Sequence, residues 1–184
     1  MTRWLTALLT ALALHAPIFA DDILPPADRR FATPGDEVPS FQRHVLPLFG
    51  RLGCNGRACH GSFQGQGGFR LSLFGYDFQA DHEALTAGER PRIDRKSPKD
   101  SLALLKPTRQ VPHKGGKLFA VDGWEHRLLL RWIAAGAPVA KEEDPDFVSL
   151  EVTPREIVFG KAGGKVQLRV IASWADGSRE DVTP

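Results

Sequence analysis

The stretch Cys54-Asn55-Gly56-Arg57-Ala58-Cys59-His60 constrains this chain more than any other. It holds the only two cysteines of the sequence, four residues apart, with a histidine directly after the second. Two thiols in that order can add across the two vinyl groups of a haem, while the next imidazole swings under the ring to ligate the iron. The spacing is longer than the common C-x-x-C-H, and the extra residues can bulge away while the sulfurs keep their separation. Two other uses stand beside this one. Two cysteines in an exported protein commonly form a disulfide, and this loop can close one. A disulfide has no use for the adjacent histidine, however. A zinc site wants about four ligands, and the stretch offers three.

The N-terminus bears on that choice, because covalent haem is attached outside the cytoplasm. Arg3 precedes an apolar run from Trp4 to Leu14, and Ala16 to Ala20 lead into Asp21-Asp22. This is the layout of a signal peptide, with cleavage after Ala20. The run is short for a membrane span, an uncleaved anchor being the alternative, and no other stretch approaches one. The expected mature protein is exported, periplasmic or extracellular, without a transmembrane segment. A formal charge of +2 over 184 residues gives no reason to expect nucleic acid or an acidic polymer as partner. With 18 Gly and 14 Pro, the chain should be rich in loops and short elements.

Residues 21–39 contain Pro25, Pro26 and Pro34, show no periodicity, and read as an extended leader. Ser40 can cap a helix whose Phe41, Val45, Leu48 and Leu52 share one face, with Pro47 predicting a kink. The glycines after His60 lack the Gly-Lys-Ser/Thr ending of a phosphate loop. They suit either a backbone passing close to a flat cofactor or a plain surface loop. Phe69, Leu71 and Leu73 alternate as a short extended segment, and Asp81 is a candidate cap for a brief helix through Leu85. The run Arg90-Pro91-Arg92-Ile93-Asp94-Arg95-Lys96 reads as a solvated face, with docking of a redox partner or pairing with haem propionates as lesser alternatives.

Ser101 to Lys106 predict a short apolar helix ended by Pro107. Asp122 and Glu125 form a capping-box pattern ahead of the strongest helix, whose stripe is Trp124, Leu128, Leu129, Trp132 and Ile133. Gly136 and Pro138 end it. Lys141 to Asp146 are charged and contain Pro145, the composition of a linker, and from Phe147 onward the pattern changes to period two. Val166, Leu168, Val170 and Ala172 alternate with polar neighbours apart from Ile171, and Ala175-Asp176-Gly177-Ser178 signals a hairpin turn. That pattern is still running at Pro184, which suggests the N-terminal piece of a longer protein.

From Phe41 to Pro138 the chain resembles the planctomycete-type cytochrome c domain. The resemblance rests on Phe41 with Val45-Leu46-Pro47-Leu48, Cys59-His60-Gly61, Ser101-Leu102-Ala103-Leu104-Leu105 and Trp132-Ile133-Ala134-Ala135-Gly136-Ala137-Pro138. It implies first and last helices packed together, one haem c enclosed by loops, Cys54 and Cys59 as thioether sites, and His60 as proximal iron ligand. Val148 to Thr183 resembles the opening strands of a bacterial Ig-like (group 2) domain through Val152-Thr153-Pro154 and Asp176-Gly177-Ser178 with Asp181-Val182-Thr183, implying a structural module.

The expected fold is therefore a mainly α cytochrome c-like domain with a loop-rich haem pocket, followed by a partial all-β Ig-like sandwich. Its boundaries are signal peptide 1–20, leader 21–39, cytochrome domain 40–138, linker 139–147 and β domain 148–184. The family's distal methionine has no counterpart, since the only methionine is Met1. The remaining candidates are His44, His82, His113, His126 and an open site. His113 is favoured, because Pro112 stiffens its approach and Gly115-Gly116 turn the chain after it. His126 reads as a surface residue, and His44 as a surface or supporting group. The expected function is an electron carrier rather than an enzyme, with an unidentified redox partner. The alternative is a non-haem extracellular protein with a Cys54–Cys59 disulfide.

Overall fold

The computed structural model describes residues 23–87, 90–139 and 144–184. The expected signal peptide and part of the expected linker lie outside these residues. The helical segments are α1 (Ala27–Arg30), α2 (Leu46–Arg51), α3 (Phe78–Thr86), α4 (Leu102–Leu105) and α5 (Trp124–Ala134). The strands are β1 (Ile23–Leu24), β2 (Phe147–Thr153), β3 (Arg169–Trp174) and β4 (Arg179–Asp181).

The entry into α2 follows from its sequence. Ser40 Oγ accepts from the Arg43 amide at 3.3 Å, capping a π-helical turn over Phe41–Val45. Pro47 then sits in the first turn of α2, where its missing N–H is harmless. The expected kink is thus two short turns end to end. Phe41, Val45 and Leu48 face the core, and Phe41 stacks on Trp132 of α5 with centroids 5.2 Å apart. In α5, Leu128, Leu129, Trp132 and Ile133 are fully buried, each contributing about 1.5–3 kcal/mol of burial. Past Ala135, the Ala137 amide returns to the Trp132 carbonyl at 2.9 Å, with Gly136 at φ 92° making the left-handed turn.

Two expected caps are not used. Asp122 takes φ 60° and is exposed, so α5 begins at Trp124 behind Gly123, which has no side chain to cap with. Likewise α3 starts earlier than expected, with Asp77 accepting from the Ala80 amide at 3.0 Å. Asp81 is instead fully buried and accepts from the Ser72 hydroxyl at 2.8 Å and from the Ser72 amide. Burial holds its carboxyl above the usual range, against the two Ser72 hydrogen bonds. Leu73, expected inward with Leu71, is exposed beside Phe74.

The expectation of a mainly α protein is wrong. Only 31% of the structure is helical, and a four-stranded mixed sheet makes the fold α/β. The strand order is β1-β4-β3-β2, with β1 parallel to β4 and the other pairs antiparallel. The turn at Gly177, φ 81°, joins β3 to β4 as its sequence signalled. The reason for the error is twofold. The helices are short, the longest having 11 residues. In addition, the proline-rich leader, which shows no alternation, contributes β1 to the sheet. Among the described residues there is one sheet, not the two layers of a sandwich. Val166 and Leu168, placed with Val170 and Ala172 in the expected alternation, precede β3 and are exposed.

Sheet and helices meet at a buried charged cluster. Glu180 of β4 accepts from the Arg30 guanidinium and from His44 Nε2 at 3.1 Å. The Arg43 guanidinium lies 3.9 Å over the Trp174 ring of β3.

Candidate functional site

The cysteine loop hangs from the end of α2, where the Cys54 amide donates to the Phe49 carbonyl at 2.8 Å. It closes on itself through His60 N–H to the Cys54 carbonyl at 2.9 Å and Gly61 N–H to the Gly56 carbonyl at 3.0 Å. The packing is tight at Gly61, where an added Cβ would lie 2.0 Å from the Asn55 carbonyl oxygen. Asn55 itself is buried beneath the loop, its carbonyl accepting from the Phe74 amide at 3.2 Å.

Cys54, Cys59, His60 and His113 line one cavity of about 830 Å³. Its apolar wall includes Phe49, Leu52, Phe69, Leu71, Leu102 and Leu118. The volume falls in the ~300–1,000 Å³ range of small-molecule and cofactor sites. The thiols and imidazoles stand around this space without converging, and among the described residues no three His, Cys, Asp or Glu side chains gather as a metal-sized group.

Both imidazoles are oriented in the same way. His60 Nδ1–H donates to the Phe69 carbonyl at 2.9 Å, and His113 Nδ1–H donates to the Gly116 carbonyl at 2.9 Å. Each ring is thereby fixed in the tautomer that leaves Nε2 without a proton, the arrangement that suits an imidazole to ligation. Burial pushes His60 below its ordinary pKa; the Phe69 hydrogen bond opposes this, while His113 and Arg92 push the same way. His60 is therefore neutral at neutral pH. His113 is positioned by its own loop, where Gly115 lies against the ring and Lys106 Nζ donates to the Pro112 carbonyl at 3.3 Å.

Both cysteines are free thiols in this structure. Burial, reinforced by the nearby Cys59, pushes the Cys54 thiol up to about 12, only partly offset by a backbone hydrogen bond.

The other histidines serve the fold. His44, expected near the surface, is buried, accepting at Nδ1 from the Ser40 amide at 2.9 Å and donating to Glu180. His82 donates to the Ala137 carbonyl at 2.8 Å and packs edge-on against Phe41 and Trp132. His126, also expected on the surface, is buried, with Nδ1 unpartnered 4.0 Å from Asp122. None of the three lines the cavity.

One cavity group belongs to a run that reads as solvated. Arg92 lies on the wall with its guanidinium 4.8 Å over the Phe69 ring. Lys106, Arg109 and Lys114 join it, and among the described residues no carboxylate side chain lines the cavity. Only the flanking Ile93, which is buried, hinted that this run turns inward. The arrangement can take a large apolar ligand bearing negative charge, and can offer it two thiols and two imidazole nitrogens. Comparison with protein-family models, with curated proteins and with solved structures finds no match to this chain.

Proposed function

We propose that this chain is an exported c-type cytochrome-like electron-transfer module that holds one covalent haem. Cys54 and Cys59 would be the thioether sulfurs, His60 the proximal iron ligand and His113 the distal one. The observation that carries this reading is that these four side chains, and no other histidine or cysteine among the described residues, line a single cavity of about 830 Å³.

The donor set suits the group. Two thiols could take up the two vinyl groups, the Nδ1-anchored imidazoles of His60 and His113 leave Nε2 free to hold the iron, and Arg92, Lys106, Arg109 and Lys114 on the wall would offset the charge of the propionates. The buried Arg92 Nε, which has no partner among the described residues, is a further polar atom that such a ligand would satisfy. A bound haem would supply one-electron chemistry at its iron. The chain's own part is to hold the ring by its edge sulfurs, orient both imidazoles and line the site with apolar side chains. The resemblance of residues 41–138 to the planctomycete-type cytochrome c domain and the signal-peptide layout at the N-terminus point the same way.

The test is expression of the full chain with haem-attachment machinery, then denaturation and mass spectrometry. Haem should stay attached, Cys54→Ser and Cys59→Ser should each leave a single thioether, and the double variant should release the haem. A colourless product lighter by two hydrogens would establish the disulfide protein and end this reading.

A further inference from the structure

Arg92 differs from the other three cations of the cavity in how firmly it is placed. Its amide donates to the Leu85 carbonyl at 2.8 Å, and its carbonyl accepts from the Ala103 amide at 2.8 Å, so its backbone is tied between the end of α3 and α4. The guanidinium then lies over the ring of Phe69, the residue whose carbonyl also orients His60. His60 meets the same ring edge-on at 4.8 Å, so Arg92, Phe69 and His60 form one packed wall. Lys106, by contrast, is already engaged with the loop that carries His113.

The Arg92 Nε is buried and has no hydrogen-bond partner among the described residues, although the side chain as a whole is only half-buried. Partial burial, with the charge of Arg90, lowers its pKa below the ordinary arginine value. A guanidinium keeps its proton at ordinary pH, so Arg92 is a cation on a largely apolar wall and suits an anion there. Among the described residues no Asp or Glu side chain lines the cavity. A ligand that fills the cavity can bring the counter-charge.

We propose, resting on the haem reading above, that Arg92 is the carboxylate anchor of the cavity. Its guanidinium pairs with an acid group of the bound porphyrin and makes the site selective for a ligand with free carboxylates. The packed wall of Arg92, Phe69 and His60 would hold the carboxylate site and the His60 imidazole in a fixed relation to each other.

The experiment uses the full chain produced without haem attachment. It is titrated by absorbance with ferric protoporphyrin IX and with the dimethyl ester of the same porphyrin, whose acid groups are capped. The wild type should bind the free diacid at least about tenfold more tightly than the ester, the scale expected of a hydrogen-bonded ion pair. Arg92→Gln should remove most of that gap by weakening the diacid alone, and Arg92→Lys should retain part of it.

Equal affinity for diacid and ester in the wild type overturns the proposal. So does a gap unchanged in Arg92→Gln, or an equal loss for both ligands, which would mark Arg92 as packing for Phe69 only. Should Arg92→Gln fail to fold, Arg92→Met, which keeps an unbranched stem for the Phe69 ring, replaces it with the same expected outcome. If the wild type binds neither porphyrin, the haem reading itself falls and takes this proposal with it; binding both equally sinks the anchor alone.

Discussion

Gly65 shows how narrowly the proximal side is built. It has φ 64°, and an added Cβ would lie 1.9 Å from the carbonyl oxygen of Phe69, the acceptor for His60 Nδ1–H. Gly65→Ala should cost about 3 kcal/mol or more, from strain and collision together. Gly67→Ala is the control: it has the same φ with open space around it and should cost only about 1–2 kcal/mol. Thermal unfolding measures both, and the His60 ring resonances should move in the first variant alone. At Cys54 the sign follows from the thiol being pushed from 9.0 up to about 12. Folding favours the protonated form, so its contribution is full below pH 9 and is lost as pH rises toward 12. The haem-free wild type should therefore lose stability relative to Cys54→Ser above about pH 9, and the thioether-linked protein should not. Denaturant titrations across pH would show it. An equal alkaline loss in Cys54→Ser would place its source elsewhere. At His113, replacing imidazole by thioether should raise the reduction potential, since methionine ligation favours ferrous iron. Voltammetry of haem-loaded His113→Met tests this, and an unchanged potential would remove His113 from the iron.

At the scale of elements, the legible features were those whose partners are close in sequence. The Ser40 cap, the Pro47 break, the stripe of α5 and the Gly177 turn all depend on residues within a few positions, and each stands as its pattern indicates. Cys54, Cys59 and His60 stood out for the same reason, and His113 for its stiffened loop once the lack of any methionine but Met1 left histidines as candidates; the structure sets all four on one cavity. What failed depended on distant partners. Asp81 looks like a cap until Ser72 arrives from the preceding loop to bind it. Arg92 looks solvated until Leu85 and Ala103 pin its backbone over the cavity. His44 reads as a surface or supporting group until Phe31 packs against its ring and Glu180, 136 residues away, accepts from its Nε2–H. Local periodicity carries no record of such partners, and this is also why β1 could not be seen in the leader.

For the molecule as a whole, that last contact decides whether the sheet is an appendage or part of the folded unit. Glu180 has almost no exposed surface, and its two partners come from α1 and from the turn ahead of α2. The leader enters the sheet as β1 before it forms α1, which in turn packs on α5. The chain therefore crosses between sheet and helices at both ends, and neither part has a separate hydrogen-bonded boundary. Removing one member of a buried charged cluster leaves the others unpaired at a cost of about 3–5 kcal/mol. Glu180→Ala should accordingly lower the melting temperature of the entire protein, including the cavity, which is lined by residues between Phe49 and Leu118. Calorimetry should give a single transition for wild type and variant alike, moved down in the variant. Two resolved transitions, with only the smaller one shifted by Glu180→Ala, would show that the sheet folds on its own and that the cavity owes nothing to this cluster.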